Sequence, residues 1–316
     1  TTEMAQERAE LNPQIGQKLN VIAWLWARTV KSPSPALSHV DVPLATSFVL
    51  SSKAGKEVYV QPVVEGDRYW FTVKAGTPPA DAKRGTKLAR GANFSCLISG
   101  VAIEPSYIKS EGMAERMGTR LLAVVVESTQ GRLYLAPTQE IEANAKNVEP
   151  TWKPELALPD DPRNFWTLSY GLTTFGDLFT PRQLVALTTL SDLVVEAREH
   201  LMERAIAAGM LDDGKGLEME GEGATAYSEA VATLLAFAVS KTSEYSNSLT
   251  VWYSKEDRPK GLFARQAIPM VWDFAEQNVL SDIGGSLIKS SQIVADSLTA
   301  VDARRIGTVS QADAAT

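Results

Sequence analysis

Between Thr180 and Ala208, TPRQLVALTTLSDLVVEAREHLMERAIAA, apolar residues recur at Leu184, Leu187, Leu190, Val194, Ala197, Leu201 and Ala205. Steps of three and four place them on one face of a long helix. Thr180 suits the N-cap, Pro181 the first helical position and Gly209 the stop. Near the start, Asn12 to Val30, NPQIGQKLNVIAWLWARTV, opens with helix signals and runs into Val21, Ile22, Trp24, Leu25 and Trp26, which predicts a second helix with a buried middle. Lys31 to Pro43 then forms a turn rich in Pro and Ser. Short β-rich runs follow at 47–50, 57–64, 68–73 and 93–98. LLAVVVE and RLYLAP, joined at Ser128 to Gly131, predict a hairpin.

Past Thr138 the texture changes. Gln139 to Pro162 is polar and Pro-containing and reads as a linker. The Gly-, Asp- and Glu-rich stretch from Gly209 to Gly223 reads as a mobile loop. Ala224 to Tyr245 predicts a helix with Tyr227, Val231, Leu234, Ala238 and Tyr245 on one face and an apolar centre, hence buried on most sides. After SLTVWYS at 248–254 and a charged turn at Lys255 to Lys260, Pro269 reads as the start of another helix. Ser286 to Ala300 predicts a further helix, and Arg305 to Asp313 a strand. The fold class expected is α+β. Its parts are a leading helical segment at 1–30, a small β-rich domain at 31–138, a linker at 139–162, a mainly helical domain at 163–300 and a terminal strand at 301–316.

A chain of 316 residues with 44% apolar content can bury a sizeable core, and its length suggests two domains. No apolar run approaches the ~20 residues needed to cross a bilayer, and TTEMAQERAE lacks the basic and apolar regions of a secretory signal. The single cysteine, Cys96, excludes an internal disulfide, and these features together point to the cytoplasm. The first residue is Thr and the opening reads as mid-helix, as in a piece of something longer. A net charge of −7 argues against attraction of nucleic acid over the whole surface. The charge is uneven, however: up to Leu135 there are 16 Lys/Arg against 12 Asp/Glu, and beyond it 15 against 26, so the first half is where phosphate would bind. Its densest basic cluster is Lys83, Arg84, Lys87 and Arg90, in a Gly- and Pro-punctuated stretch that reads as a loop. A solvated loop with no ligand is the alternative.

Catalytic signatures are scarce. The chain has no Walker loop, no Gly-x-Gly-x-x-Gly, no Gly-x-Ser-x-Gly and no His-Glu-x-x-His. His39 and His200 are the only histidines, so a Ser-His-Asp triad would have to use one of them, and Cys96 with His39 could serve as nucleophile and base. One near-miss concerns metal. A zinc ribbon places two ligand pairs on two turns, and here the corresponding positions hold Ser32 and Leu37, then Cys96 and Ser99. One thiol, even with His39, is too few, so a degenerate, metal-free ribbon is expected.

Four segments taken together carry a family resemblance: NVIAWLWARTVKSPSPA at 20–36, FGDLFTPRQLVALTTLSDLV at 175–194, YSNSLTVWYS at 245–254 and FARQAIPMVWDFAEQN at 263–278. In this order they resemble the large bacterial and archaeal adenine-specific DNA methylases that contain a zinc ribbon. The resemblance runs over nearly the whole chain, and the departures at Ser32, Leu37 and Ser99 put the metal, not the kinship, in question. It implies that this chain is the insert between the S-adenosylmethionine-binding motif and the Asp-Pro-Pro-Tyr catalytic motif, neither of which it contains. It further implies that VSQADA near the C-terminus holds the acid facing the cofactor adenine, Asp313, at the end of a strand of a methyltransferase-like sheet.

On that reading the partner is double-stranded DNA, positioned so that a flipped adenine reaches the catalytic loop. The basic cluster would meet phosphates, joined by the exposed members of Arg265, Gln266, Trp272 and Phe274, for which core packing is the competing role. No membrane partner is expected, no residue of the chain is assigned to catalysis or metal, and the oligomeric state stays open. A DNA- or protein-binding module independent of methylation, and a structural insert with no ligand, are the alternatives.

Overall fold

The computed structural model describes Met4, Gln6 and residues 8–129, 131–264 and 266–301. At its centre is strand β1, Val21–Lys31, buried along nearly its whole length. A strand covered on both faces loses the alternation that marks a half-exposed one, so its continuous apolar run imitates a buried helix. The helix expected over Asn12 to Val30 is thus replaced by a short 3-10 turn, Ala9–Gln14, and then β1. Val, Ile, Thr and Trp, which favour a pleated backbone, supply six of its eleven residues.

The sheet around β1 is antiparallel. On one edge lies β8, Gly118–Ser128, and beyond it β9, Gly131–Leu135; this is the expected hairpin, with Ser128 opposite Gly131. On the other edge β12, Asp273–Gln277, pairs with Ala23 to Ala27, and β2, Asp41–Pro43, pairs with Thr29 to Lys31. The helix expected from Pro269 is therefore a strand: Phe274 and Ala275 are both buried, on opposite faces, which a helix at a sheet edge could not do. Pairing of β1 with β12 also crosses the divisions drawn from sequence at residues 30 and 162.

Each face of this sheet carries its own core. Ala23, Leu25 and Ala27 face Phe48, Phe71, Phe94 and Ile108. Much of that layer comes from a three-stranded sheet, β3 (Val49–Ser51), β4 (Val58–Glu65) and β5 (Arg68–Ala75), and from a small hairpin, β6 (Phe94–Ser95) with β7 (Ala102–Ile103). On the opposite face Trp26, Leu121 and Phe274 meet Leu178 and Leu249. A two-stranded ribbon, β10 (Val251–Tyr253) with β11 (Arg258–Lys260), follows the expected 248–254 run and charged turn.

Among the described residues six α-helices complete the mixed α+β fold: α1 (Ala80–Arg84), α2 (Pro105–Met113), α3 (Gln139–Lys146), α4 (Pro181–Ala207), α5 (Ala224–Ser243) and α6 (Leu287–Leu298). Part of the expected linker is thus helical, since Thr138 Oγ1 caps α3 by accepting from the Ile141 N–H. The long helix begins and ends where its sequence signals stand. Thr180 and Gln183 form a reciprocal capping box, and beyond Gly209, at φ +90°, the Met210 N–H returns to the Ala205 carbonyl. Only Gln183, Leu184, Leu190 and Ala205 of α4 are fully buried, because after its first turns α4 packs mainly against α5. Helix α5 is likewise less enclosed than its apolar composition suggests: Tyr227 is 45% and Phe237 58% exposed. Its buried side is made of small residues, among them Ala226, Ser228, Ala232 and Ala238, which lets α4 and α6 approach closely while the large side chains face outward. No helix of the described residues is long and apolar enough to cross a membrane.

Candidate functional site

The structure separates the residues singled out from sequence into three places. Lys83 and Arg84 lie on α1, not in a loop, and Arg84 pairs with Asp81 at 2.9 Å. Gly85 ends this helix at φ +62°, where a Cβ would collide with the Ala45 carbonyl, so the turn into Lys87 and Arg90 is held against the body of the protein. Lys83, Arg84 and Arg90 are exposed. Lys87 is half-buried, with Nζ 5.6 Å from the centre of the Phe94 ring and its charge felt by the Asp273 carboxylate. That carboxylate is raised above its usual range by burial, against the opposing hydrogen bonds from Thr46.

Trp272 does not join them as a nucleic-acid contact. It is 7% exposed, edge-on to both Phe94 and Tyr170, and Phe274 is buried on the opposite face. Tightly packed aromatic edges consume the ring faces that stacking on a base would need. Gln266 is exposed. Arg265 and Asp313, together with the strand expected at 305–313, lie outside the described residues.

The two ribbon-like turns do face each other. Ser32 Oγ donates to Cys96 Sγ at 3.6 Å, and Ser99 hydrogen-bonds the same thiol. Burial raises the Cys96 pKa, but the hydrogen bonds from Ser99, Ser32 and the Ile98 backbone outweigh it and hold the thiol below its ordinary value. One thiol among two hydroxyls and Leu37 does not fit zinc, and among the described residues no three His, Cys, Asp or Glu come together as a metal site. His39 pairs with Asp67 at the surface, 3.1 Å apart, while Cys96 is buried against Ser32, so a Cys96 and His39 dyad does not form.

A site that sequence reasoning missed lies at the opposite end of β12. A cavity of about 470 Å³ is lined by Trp24 and Trp26 of β1, Asn144 and Ala145 of α3, Arg182 and Gln183 of α4, Ser246, and Glu276 to Asn278 at the end of β12. Its frame is an ion pair. Arg182 grips Glu276 with two bonds of 2.7 Å, donates to the Ala145 carbonyl at 2.6 Å and lies 4.7 Å above the Trp26 ring. A second arginine, Arg28, fastens the neighbouring segments by donating to the Val271 carbonyl and to the carbonyl and Oγ of Ser248; burial pushes its pKa down to about 10.

Three buried polar atoms on residues lining this cavity have no hydrogen-bond partner: Trp26 Nε1, Gln183 Nε2 and Gln277 Oε1. The remaining amide atoms of the two glutamines are engaged. Gln183 Oε1 accepts from the Thr180 N–H in the capping box, and Gln277 Nε2 donates to Ser246 Oγ and the Gly285 carbonyl. Burying such an atom unpaired costs about 1–3 kcal/mol, so folded chains keep few of them.

Comparison of the chain with protein-family profiles, with curated proteins and with solved structures finds no match. The cavity therefore has to be interpreted from its own chemistry. One sequence signal could have located it: the four segments that carry the family resemblance each contribute to its wall, through Trp24 and Trp26, Arg182 and Gln183, Ser246, and Glu276 to Asn278.

Proposed function

We propose that this chain is the DNA-positioning insert of an S-adenosylmethionine-dependent DNA adenine-N6 methyltransferase and is inactive by itself. The observation that carries the reading is a convergence in space. Four segments far apart in sequence, chosen only for their joint resemblance to that enzyme family, contribute to the wall of one cavity and are clamped together by Arg28 and Arg182. Function resides in such grafted sites more than in a fold. The basic stretch of Lys83, Arg84 and Arg90 supplies exposed positive charge for phosphates, and Lys87 has less to offer because its charge is directed toward Phe94 and Asp273. No described residue matches the family's cofactor-binding motifs, so the donor and every step of methyl transfer belong to the remainder of the enzyme.

Fluorescence anisotropy with labelled duplex DNA tests the positioning role. Affinity should fall steeply between about 50 and about 200 mM salt, and changing Lys83, Arg84 and Arg90 together to Ala should abolish most of that salt dependence. Lys87→Ala should have a smaller effect. Binding that is absent, or indifferent to salt and to these changes, would sink the DNA-positioning role. Methyl incorporation into adenine-containing DNA by the parent enzyme, lost with the same substitutions, tests the enzymatic half.

A further inference from the structure

We infer that the end of the α4–α5 pair, where the two helices are joined, is a docking surface for a cationic amphipathic helix of another protein. Six large apolar side chains gather there: Ile206 at the end of α4, Met210, Leu211, Leu217 and Met219 in the connection, and Tyr227 near the start of α5. All are exposed, Leu211 to 88% and Met219 to 62%. Scattered exposed apolar residues need no explanation, but a group of them at one end of a helix pair marks a surface that something else covers. The two flexible thioethers suit an apolar partner, whose side chains they can accommodate. The connection that carries them is tied down. Asp212 accepts from the Thr225 N–H and from its Oγ1, the latter at 2.9 Å, and Glu229 accepts from the Leu217 N–H at 2.8 Å.

Charge selects the partner. From Glu196 to Glu229 there are nine Asp/Glu against three Lys/Arg, a balance of −6 within a chain of net charge −7. Such a field repels DNA and anionic lipid, and a second copy would bring the same charge to a two-fold contact. It attracts a segment whose apolar residues are flanked by Lys and Arg. Glu218, Glu220 and Glu222 stand exposed among the apolar side chains to receive those cations. No strand lies between Pro181 and Ser243, so this end has no sheet edge to extend, and the partner is met through a helical side-chain face and not through its backbone. The surface lies on other elements than Lys83, Arg84 and Arg90 and does not depend on the DNA-positioning role.

Fluorescence anisotropy of the 316-residue chain with three labelled peptides tests the assignment. One sets Leu and Lys at the spacing of an amphipathic helix, the second replaces every Lys with Glu, and the third replaces every Leu with Ser. The Leu/Lys peptide should bind at least about tenfold more tightly than either of the others, and its affinity should fall about tenfold from low to high salt. Leu211→Ser with Met219→Ser should weaken that binding about tenfold, and so should Glu218→Gln, Glu220→Gln and Glu222→Gln together. All five side chains are exposed, so the circular dichroism spectrum should not change. Leu156→Ser, an exposed residue outside the helix pair, should leave binding unaltered. No binding of the Leu/Lys peptide, equal binding of the Leu/Glu or Ser/Lys peptide, or folded variants with unaltered affinity would overturn the assignment. Sedimentation of the chain alone addresses a second copy as the occupant: self-association lost with Leu211→Ser and Met219→Ser would also overturn it, and a chain that stays monomeric supports it.

Discussion

Replacing Arg182 with Met is expected to destabilise the chain by about 3–5 kcal/mol. The guanidinium has three roles, and their magnitudes decide which dominates. Its cover over Trp26 contributes about 0.5–2 kcal/mol and its bond to the Ala145 carbonyl about 1 kcal/mol. Most of the loss comes from the partner it leaves behind. The Glu276 side chain is only 7% exposed, and without Arg182 it stays buried as a charge with no counter-ion. Thr180 Oγ1, at 3.4 Å, cannot compensate a full charge. Urea unfolding followed by circular dichroism should show a lower midpoint with an unchanged slope. Changing Glu276 to Leu as well should restore much of the loss, since a packed apolar pair can match a buried ionic one. A loss below about 1 kcal/mol would show that Glu276 reaches water and behaves as a surface pair.

The second large effect is a gain. Ser32→Cys, Leu37→Cys and Ser99→Cys together should turn the two facing turns into a zinc site with an apparent binding free energy of about 10 kcal/mol or more. The spacing supports this. Tetrahedral zinc with Zn–S bonds of about 2.3 Å places neighbouring sulfurs about 3.8 Å apart, and Ser32 Oγ already stands 3.6 Å from Cys96 Sγ. The turns also hold Cys96 below its ordinary pKa with hydrogen bonds, a setting that favours the thiolate a metal needs. Competition against a chromophoric chelator gives the affinity, and the visible spectrum of the cobalt form reports tetrahedral thiolate coordination. An octahedral cobalt spectrum, or no tight binding by the folded triple variant, would show that these turns do not have ribbon geometry.

How much was legible from sequence follows from how each segment is buried. The long helix, from its Thr180 cap to Gly209, the 120–137 hairpin and the helix over Ser286 to Ala300 announce themselves because their signals are local: caps, period, turn residues. β1 and β12 do not, because strands buried on both faces carry no alternation, and their apolar runs mimic helices. Helix α5 misled in the opposite sense: its large apolar side chains promised enclosure, yet its small residues make the contacts. Of the candidate site, the basic cluster is visible as a charge pattern, whereas sequence leaves Trp272 between a DNA contact and core packing, and only its neighbours Phe94 and Tyr170 decide for the core.

From sequence alone came the mixed α+β class, the helix boundaries set by caps and glycines, and the position of the basic stretch, because each depends on residues within a few places of one another. Tertiary structure alone decided that β1 lies at the centre of the sheet, paired with a strand from the far end of the chain. It also decided that Arg182 finds Glu276, and that Trp26, Gln183 and Gln277, far apart in sequence, line a common cavity. Those outcomes depend on long-range packing and on the exclusion of water from a buried pair, neither of which leaves a periodic trace along the chain.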